Sequence, residues 1–275
     1  MTITATCLVR RCFMSGLVAL AAMLHTLSAL ADTPSTSTWE PLWEISDEFN
    51  GSDLDVKKWE NLHRSYPGKK PGVYSRDNVR VRNGMLELGA QATTAQNGQV
   101  GYTVAYVGGK HMSRYGYYEV RAKPMPARIN SAFWLYRWTP TGTYEVDVFE
   151  IFAISPGHEK TIHTNVHAYL GDPKLETDLN RQSDPFGWKV PEPLGAGFHT
   201  YGLEWNEQEF RFYFDNQLVR TKPNTVWHEA MYVRFTTETH PNWGGLPLTG
   251  ELPAVFLIDY FRAWRAAKPG PKEAP

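Results

Sequence analysis

Cysteine is almost absent. The 275 residues hold two, Cys7 and Cys12, and both fall within the first thirty. The rest of the chain can therefore form no disulfide, no thiolate nucleophile and no cysteine metal site. A charge excess is also missing: 28 basic side chains face 29 acidic ones, for a formal net charge of −1. Phosphate binding needs a basic excess, which argues against nucleic acid as a partner. Long helical periodicity is scarce, and no internal repeat supports a β-propeller.

One long apolar run is present, from Phe13 to Leu30, behind Arg10 and Arg11. It ends in Ala29-Leu30-Ala31 and leads into polar residues without a basic stop. It is short for a membrane span, so residues 1–31 read as a cleaved secretory signal peptide. The expectation is a secreted or periplasmic protein, a monomer, with no membrane attachment after cleavage. Residues 32–38 are rich in Ser, Thr and Pro and read as a short linker. Residues 268–275, with Pro269, Gly270 and Pro271, read as a disordered tail. Between them, residues 39–267 suit one large domain whose core must stand without disulfides.

Aromatic residues are plentiful, with 10 Trp, 14 Tyr and 13 Phe. A large core absorbs such residues. A sugar-binding cleft also uses them, because pyranose rings present C–H patches that stack on aromatic faces. Composition leaves both readings open.

The local pattern is strand after strand. Arg80-Val81-Arg82, the turn pair Asn83-Gly84 and Met85-Leu86-Glu87-Leu88 predict a hairpin. Tyr117 to Lys123 alternates. Tyr201, Leu203 and Trp205 share one face, as do Phe210, Phe212 and Phe214 before the turn at Asp215-Asn216. Val255 to Trp264 is another long strand. Many short strands with turn signals between them predict an all-β fold, a two-sheet antiparallel jelly-roll sandwich.

The segment Tyr144-Glu145-Val146-Asp147-Val148-Phe149-Glu150-Ile151-Phe152 carries the chemistry. Its Val and Phe content makes it a strand, and alternation puts Glu145 and Asp147 on one face. Glu150 would then fall on the opposite face, with Val146 and Val148. One extra residue at Val148-Phe149, a β-bulge, returns it to the face of the other two acids. Three carboxylates side by side repel each other and serve no stabilising purpose. Glycoside hydrolysis gives them one: a carboxylate attacks the anomeric carbon while a protonated partner, about 5–5.5 Å away in retaining enzymes, protonates the leaving oxygen. An ordinary acidic strand face is the usual meaning of a bare E-x-D-x-x-E. Here the apolar flanks and the preceding Asn130-Ser131-Ala132-Phe133-Trp134-Leu135-Tyr136 argue against an exposed acidic loop.

In this strand the chain resembles glycoside hydrolase family 16. Further blocks carry the resemblance, in order: Trp43 to Gly51, Leu54 to Trp59, Tyr115 to Lys123, Phe198 to Trp205 and Ile258 to Trp264. The resemblance implies a catalytic β-jelly-roll domain, with Glu145 as nucleophile, Asp147 as its helper and Glu150 as general acid/base. The spacing before Glu150 is shared by laminarinases and by enzymes acting on agar, porphyran and carrageenan. Thr141-Gly142-Thr143-Tyr144, Pro71 to Asn78 and the Asn130 block are similar to the galactan group, and Tyr144 to Val148 to kappa-carrageenases. The implied function is endo-acting, retaining cleavage of a β-linked algal galactan. An endo-β-1,3-glucanase and a non-catalytic lectin-like module are the rivals, and the three acids argue against the second. Transglycosylation shares the covalent intermediate and is not separable here.

Five further residues are expected to bind substrate. Trp134, one strand before the acids, stacks on the sugar by this resemblance. Trp243 sits in the polar loop Pro241-Asn242-Trp243-Gly244-Gly245, where there is little core to join. Glu238 is a candidate for holding a hydroxyl, set against an ordinary surface acid. His163 and His167 alternate with Asn165 on one face and would line the cleft if their strand neighbours the catalytic one. No third ligand at metal spacing accompanies them, so no metal site is expected. Arg114 and Arg137 are weighed for a substrate sulfate, although a solvated arginine is the simpler reading. No cofactor is required. A structural Ca²⁺ at Glu48 and Asp259 is weighed from the resemblance, but calcium prefers more oxygens than two acids supply.

Overall fold

The computed structural model describes residues 39–94, 98, 100–172 and 180–267. The assignments made for 1–31, 32–38 and 268–275 lie outside the described residues.

The chain forms eighteen strands among the described residues. They are β1 (Trp39–Pro41), β2 (Trp59–Glu60), β3 (Gly72–Tyr74), β4 (Val79–Arg82), β5 (Met85–Thr94) and β6 (Val100–Val104). Next come β7 (Tyr106–Ser113), β8 (Gly116–Lys123), β9 (Asn130–Thr139), β10 (Gly142–Ile151), β11 (Thr161–Leu170) and β12 (Arg181–Ser183). The last are β13 (Phe186–Lys189), β14 (His199–Trp205), β15 (Glu209–Phe214), β16 (Gln217–Pro223), β17 (Met231–Glu238) and β18 (Ala254–Ala266). No α-helix occurs among the described residues, and none of their helical turns could cross a membrane.

The strands build two sheets, as a jelly-roll sandwich requires. One runs β16-β15-β14-β8-β18-β5-β6-β3, with β1 on β18 and β4 on β5. The other runs β12-β11-β10-β9-β17-β7-β2, with β13 on β11. Pairing is antiparallel, except that β3 and β6 run parallel.

The predicted hairpins form where expected. Arg82 faces Met85 across Asn83 and Gly84, whose φ values of 54° and 72° are those of a primed turn. Asp215 and Asn216 have φ of 45° and 65° between β15 and β16. The predicted faces hold as well. Tyr201, Leu203, Trp205, Phe210 and Phe212 are buried between the sheets, while Phe214 is only partly covered.

The core strand face of β10 explains its bulge. Val146, Val148, Phe149 and Ile151 are all buried, so two consecutive apolar side chains, 148 and 149, occupy one interior step. Pairing with β9 slips between Asp147 and Phe149, and pairing with β11 slips between Asp147 and Glu150. Phe149 fills the space behind the slip. It packs on Tyr201 at 4.3 Å between ring centroids and on Phe133 and Phe256 at 6.1 Å. Burying a side chain of this size contributes about 1.5–3 kcal/mol.

Candidate active site

Four adjacent strands, β17, β9, β10 and β11, present their polar faces away from the core. Their register sets side chains in rows. Tyr232, Tyr136, Glu145 and His167 form one row; Arg234, Trp134, Asp147 and Asn165 form the next; Thr236, Ala132, Glu150 and His163 form the third. Glu238 and Asn130 begin a fourth. The bulge lets Glu150 join the face of Glu145 and Asp147, as the sequence predicts. Opposite Glu150 stands Ala132, whose small side chain leaves space above the acid.

This surface is a groove of linked cavities. The central one, about 220 Å³, is lined by all three acids with Tyr66, Lys69, Asn130, Trp134, Glu238 and His240. On the Glu145 side lie cavities of about 560 and 660 Å³, walled by His63, Trp134, Tyr136, Trp138, Arg137 and Arg234. On the Glu150 side a cavity of about 170 Å³ lies between His163, Phe186 and Trp243.

Each acid has defined partners. Asp147 is 5% exposed and its Oδ2 lies 3.2 Å from His167 Nε2. Asn130 Nδ2 donates to Glu150 Oε1 at 2.8 Å. Tyr74 O–H donates to Glu238. Burial is the main force on the acids, because removing a carboxylate from water disfavours its charged form. It pushes Glu150 up to about 7, with the Asp147 charge adding to the rise and His240, Asn130 and Lys69 opposing it. Burial and then Asp147 push Glu145 upward, and His167 pulls it back. Burial raises Asp147 as well, against the pull of Lys69. Burial together with mutual repulsion therefore disfavours full ionisation of all three acids at once. Burial holds His167 below its usual range, with the Glu145 and Glu150 charges opposing the fall, and His163 at about 4, with His158 adding to the fall.

A carboxyl whose folded pKa is raised favours folding fully only below its unfolded pKa, and that advantage is lost as pH rises through the folded value. For Glu150 the window runs from about 4.5 to about 7. Glu150→Gln keeps the Asn130 contact and removes the titration. Its melting temperature is expected to exceed that of the wild type by on the order of 5 °C at about pH 8, and by much less at about pH 4.5. Equal differences at both pH values would show that Glu150 carries no burial penalty.

Of the five residues expected to bind substrate, Trp134, Glu238, His163 and Trp243 line the cavities of the groove, whereas His167 reaches Asp147 but lines none of these cavities. Trp134 lines the central cavity, its Nε1 donating to Thr236 Oγ1 at 3.2 Å and Arg234 lying 4.8 Å from its ring. His163, Asn165 and His167 share one face of β11 beside β10. Trp243 is 37% exposed and packs edge-on against Phe152 and His163, both at 4.8 Å. Arg137 lines the cavity of about 660 Å³. Arg114 instead reaches His228 O at 3.4 Å and the Tyr115 ring. Sequence reasoning did not single out Tyr66, Lys69, Arg234 or His240, which complete the central cavity and its wall.

Among the described residues, Glu145, Asp147 and His167 bring ligand atoms within 4.8 Å of one another, close enough to hold a metal ion. The acids weighed for calcium are differently engaged. Glu48 accepts two bonds of 2.8 Å from Arg262, and Asp259 accepts one of 2.6 Å from Arg121. Both carboxylates are thus already paired with guanidinium groups, whereas calcium prefers several free oxygens.

Residues 39–266 match the family described as "Beta-porphyranase A-D, GH16 domain". Beta-porphyranase B of Phocaeicola plebeius is 26% identical over 86% of this chain and 87% of its own length. The kappa-carrageenase of Pseudoalteromonas carrageenovora is 28% identical over 82% of this chain and 65% of its own. Among solved structures, porphyranase B of Zobellia galactanivorans superposes with a TM-score of 0.72 at 23% identity, over 86% of this chain and 97% of that one. That last likeness speaks to the fold. The matched span covers every strand of the sandwich and the whole groove, and the chain belongs to the GH16 beta-porphyranase A–D family: it is a glycoside hydrolase of family 16.

Proposed function

We propose that the protein is a secreted, endo-acting, retaining hydrolase of a sulfated, β-linked algal galactan. The observation that carries this reading is the row of Glu145, Asp147 and Glu150 along one face of a bulged strand, at the floor of an open groove. In the proposed reaction Glu145 attacks the anomeric carbon while Glu150 gives its proton to the departing glycosidic oxygen. The product is a glycosyl ester on Glu145 and a free chain end. Glu150, now ionised, takes a proton from water, and the resulting hydroxide equivalent displaces Glu145. Positive charge developing on the sugar ring favours the anion at Glu145. Asp147, held by His167, keeps negative charge beside Glu150 and so favours the proton there. Trp134, His163, His167, Glu238 and Trp243 are proposed to bind the sugar chain, as their places along the groove support.

Sulfation is favoured by the Glu145 side of the groove. Arg64, Lys110, Arg137 and Arg234 line it beside Trp138, which is 52% exposed. Four cationic side chains around one open cavity suit an anionic oxygen cluster. The names of the relatives, beta-porphyranase and kappa-carrageenase, agree with a galactan. Export is supported by the N-terminal apolar run behind Arg10 and Arg11.

Reducing-end release from agarose, porphyran, carrageenans and laminarin tests the reading. Porphyran or a carrageenan is expected to be cut fastest, with laminarin left intact. Preference for laminarin, or for neutral agarose over both sulfated polymers, would overturn the substrate assignment.

A further inference from the structure

His240 is 8% exposed, and its Nε2 is buried with no hydrogen-bond partner among the described residues. Glu238 Oε2 is the nearby charge, at 3.6 Å, beyond a hydrogen bond. The other ring nitrogen, Nδ1, lies 3.2 Å from Lys69 Nζ. An ammonium group only donates, so Nδ1 must be the accepting nitrogen. In a neutral ring the proton then sits on Nε2. A doubly protonated ring would set an N–H against the ammonium at that distance. Lys69 thus selects which nitrogen of His240 carries the proton.

Glu238 complements this donor. Its Oε1 is taken by Tyr74 O–H, and its Oε2 is the oxygen near His240. Both side chains line the central cavity that holds the three acids. A donor and an acceptor 3.6 Å apart on one wall suit a group that both accepts and donates, which a hydroxyl does. We propose that His240 and Glu238 form a receptor for one ring hydroxyl of the sugar lying over the catalytic acids, with Lys69 as the positioning residue that fixes the His240 proton. The hydroxyl oxygen accepts from His240 Nε2–H, and the hydroxyl proton goes to Glu238 Oε2. The proposal rests on the reading of the groove as a sugar site.

The test has two independent readouts. The first is long-range proton–nitrogen correlation on the ¹⁵N-histidine-labelled protein, with the His240→Gln spectrum identifying His240 among the nine histidines. The wild type is expected to show the Nε2–H form near neutral pH, and Lys69→Met a mixture with Nδ1–H. A wild-type Nδ1–H form, or no change in Lys69→Met, would overturn the role of Lys69. The second is steady-state kinetics on the galactan that the polymer panel identifies. His240→Gln keeps an N–H near the Nε2 position and should hold KM within about threefold. His240→Asn carries its amide near Nδ1 and should raise KM about tenfold. An unchanged KM in His240→Asn would remove the hydroxyl receptor. If no galactan is cut, the functional reading and the receptor fall together, while the spectra still decide what Lys69 does to His240.

Discussion

Glu145→Gln and Glu150→Gln are each expected to lose activity by about 10³-fold or more while remaining folded. The two losses differ in kind. With Glu145 as the proposed nucleophile, its loss is expected to prevent any glycosyl ester, so no substrate should restore turnover. Without the Glu150 proton the loss depends on the leaving group. A substrate carrying a good leaving group, such as a nitrophenyl glycoside of the cleaved oligosaccharide, should recover much of its first step in Glu150→Gln but not in Glu145→Gln. Neither change disturbs the core, because both side chains face the groove and Gln preserves their shape. The Asn130 contact to residue 150 also survives, since Gln retains an accepting oxygen. Normal unfolding together with wild-type rates in either variant would remove that residue from the mechanism.

The largest stability loss is expected from Phe149→Ala, about 3–5 kcal/mol. Phe149 is fully buried directly behind the bulge, against Phe133, Tyr201 and Phe256. Truncation leaves a cavity that the two sheets cannot close without moving β10, whose other face carries the acids. The denaturant midpoint should fall steeply, and activity should fall even where the protein is still folded. A loss below about 1 kcal/mol would mean that the bulge is held by its pairing and not by this ring.

The bulged strand was legible because its acids break the rule of alternation. Glu145 and Asp147 obey a period of two and Glu150 does not, and the pair Val148-Phe149 is apolar where one polar residue would be due. Only an extra residue reconciles the two facts, and the slip in pairing lies where they require it. Turn chemistry was equally plain at Asn83-Gly84 and Asp215-Asn216, whose residues tolerate positive φ. Long-range neighbours were not legible. β9 lies against β17, and β8 against β18, over gaps of ninety residues or more, and no local pattern records such pairings. The same gap hid part of the site. Lys69 and Tyr66 come from an irregular segment before β3, and they reach the acids only because that segment folds over the end of β17. Arg234 sits on the same strand face as Tyr232 and Glu238, yet a charged residue in a half-exposed strand is unremarkable until Trp134 is seen beneath it. The parallel pairing of β3 with β6 escaped for the same reason, since a three-residue strand carries too little pattern to reveal its direction.

The proposed mechanism requires Glu145 and Glu150 to exchange a covalent bond and a proton across one glycosidic linkage. Proton NMR of the first products, recorded before mutarotation, tests this most directly, because displacement through an enzyme ester inverts the anomeric centre twice. The new reducing end is expected to appear first in the β configuration and to drift toward the equilibrium mixture. An α signal at the earliest times would mean a single displacement by water, with Glu145 never bonded to the sugar, and would contradict the account.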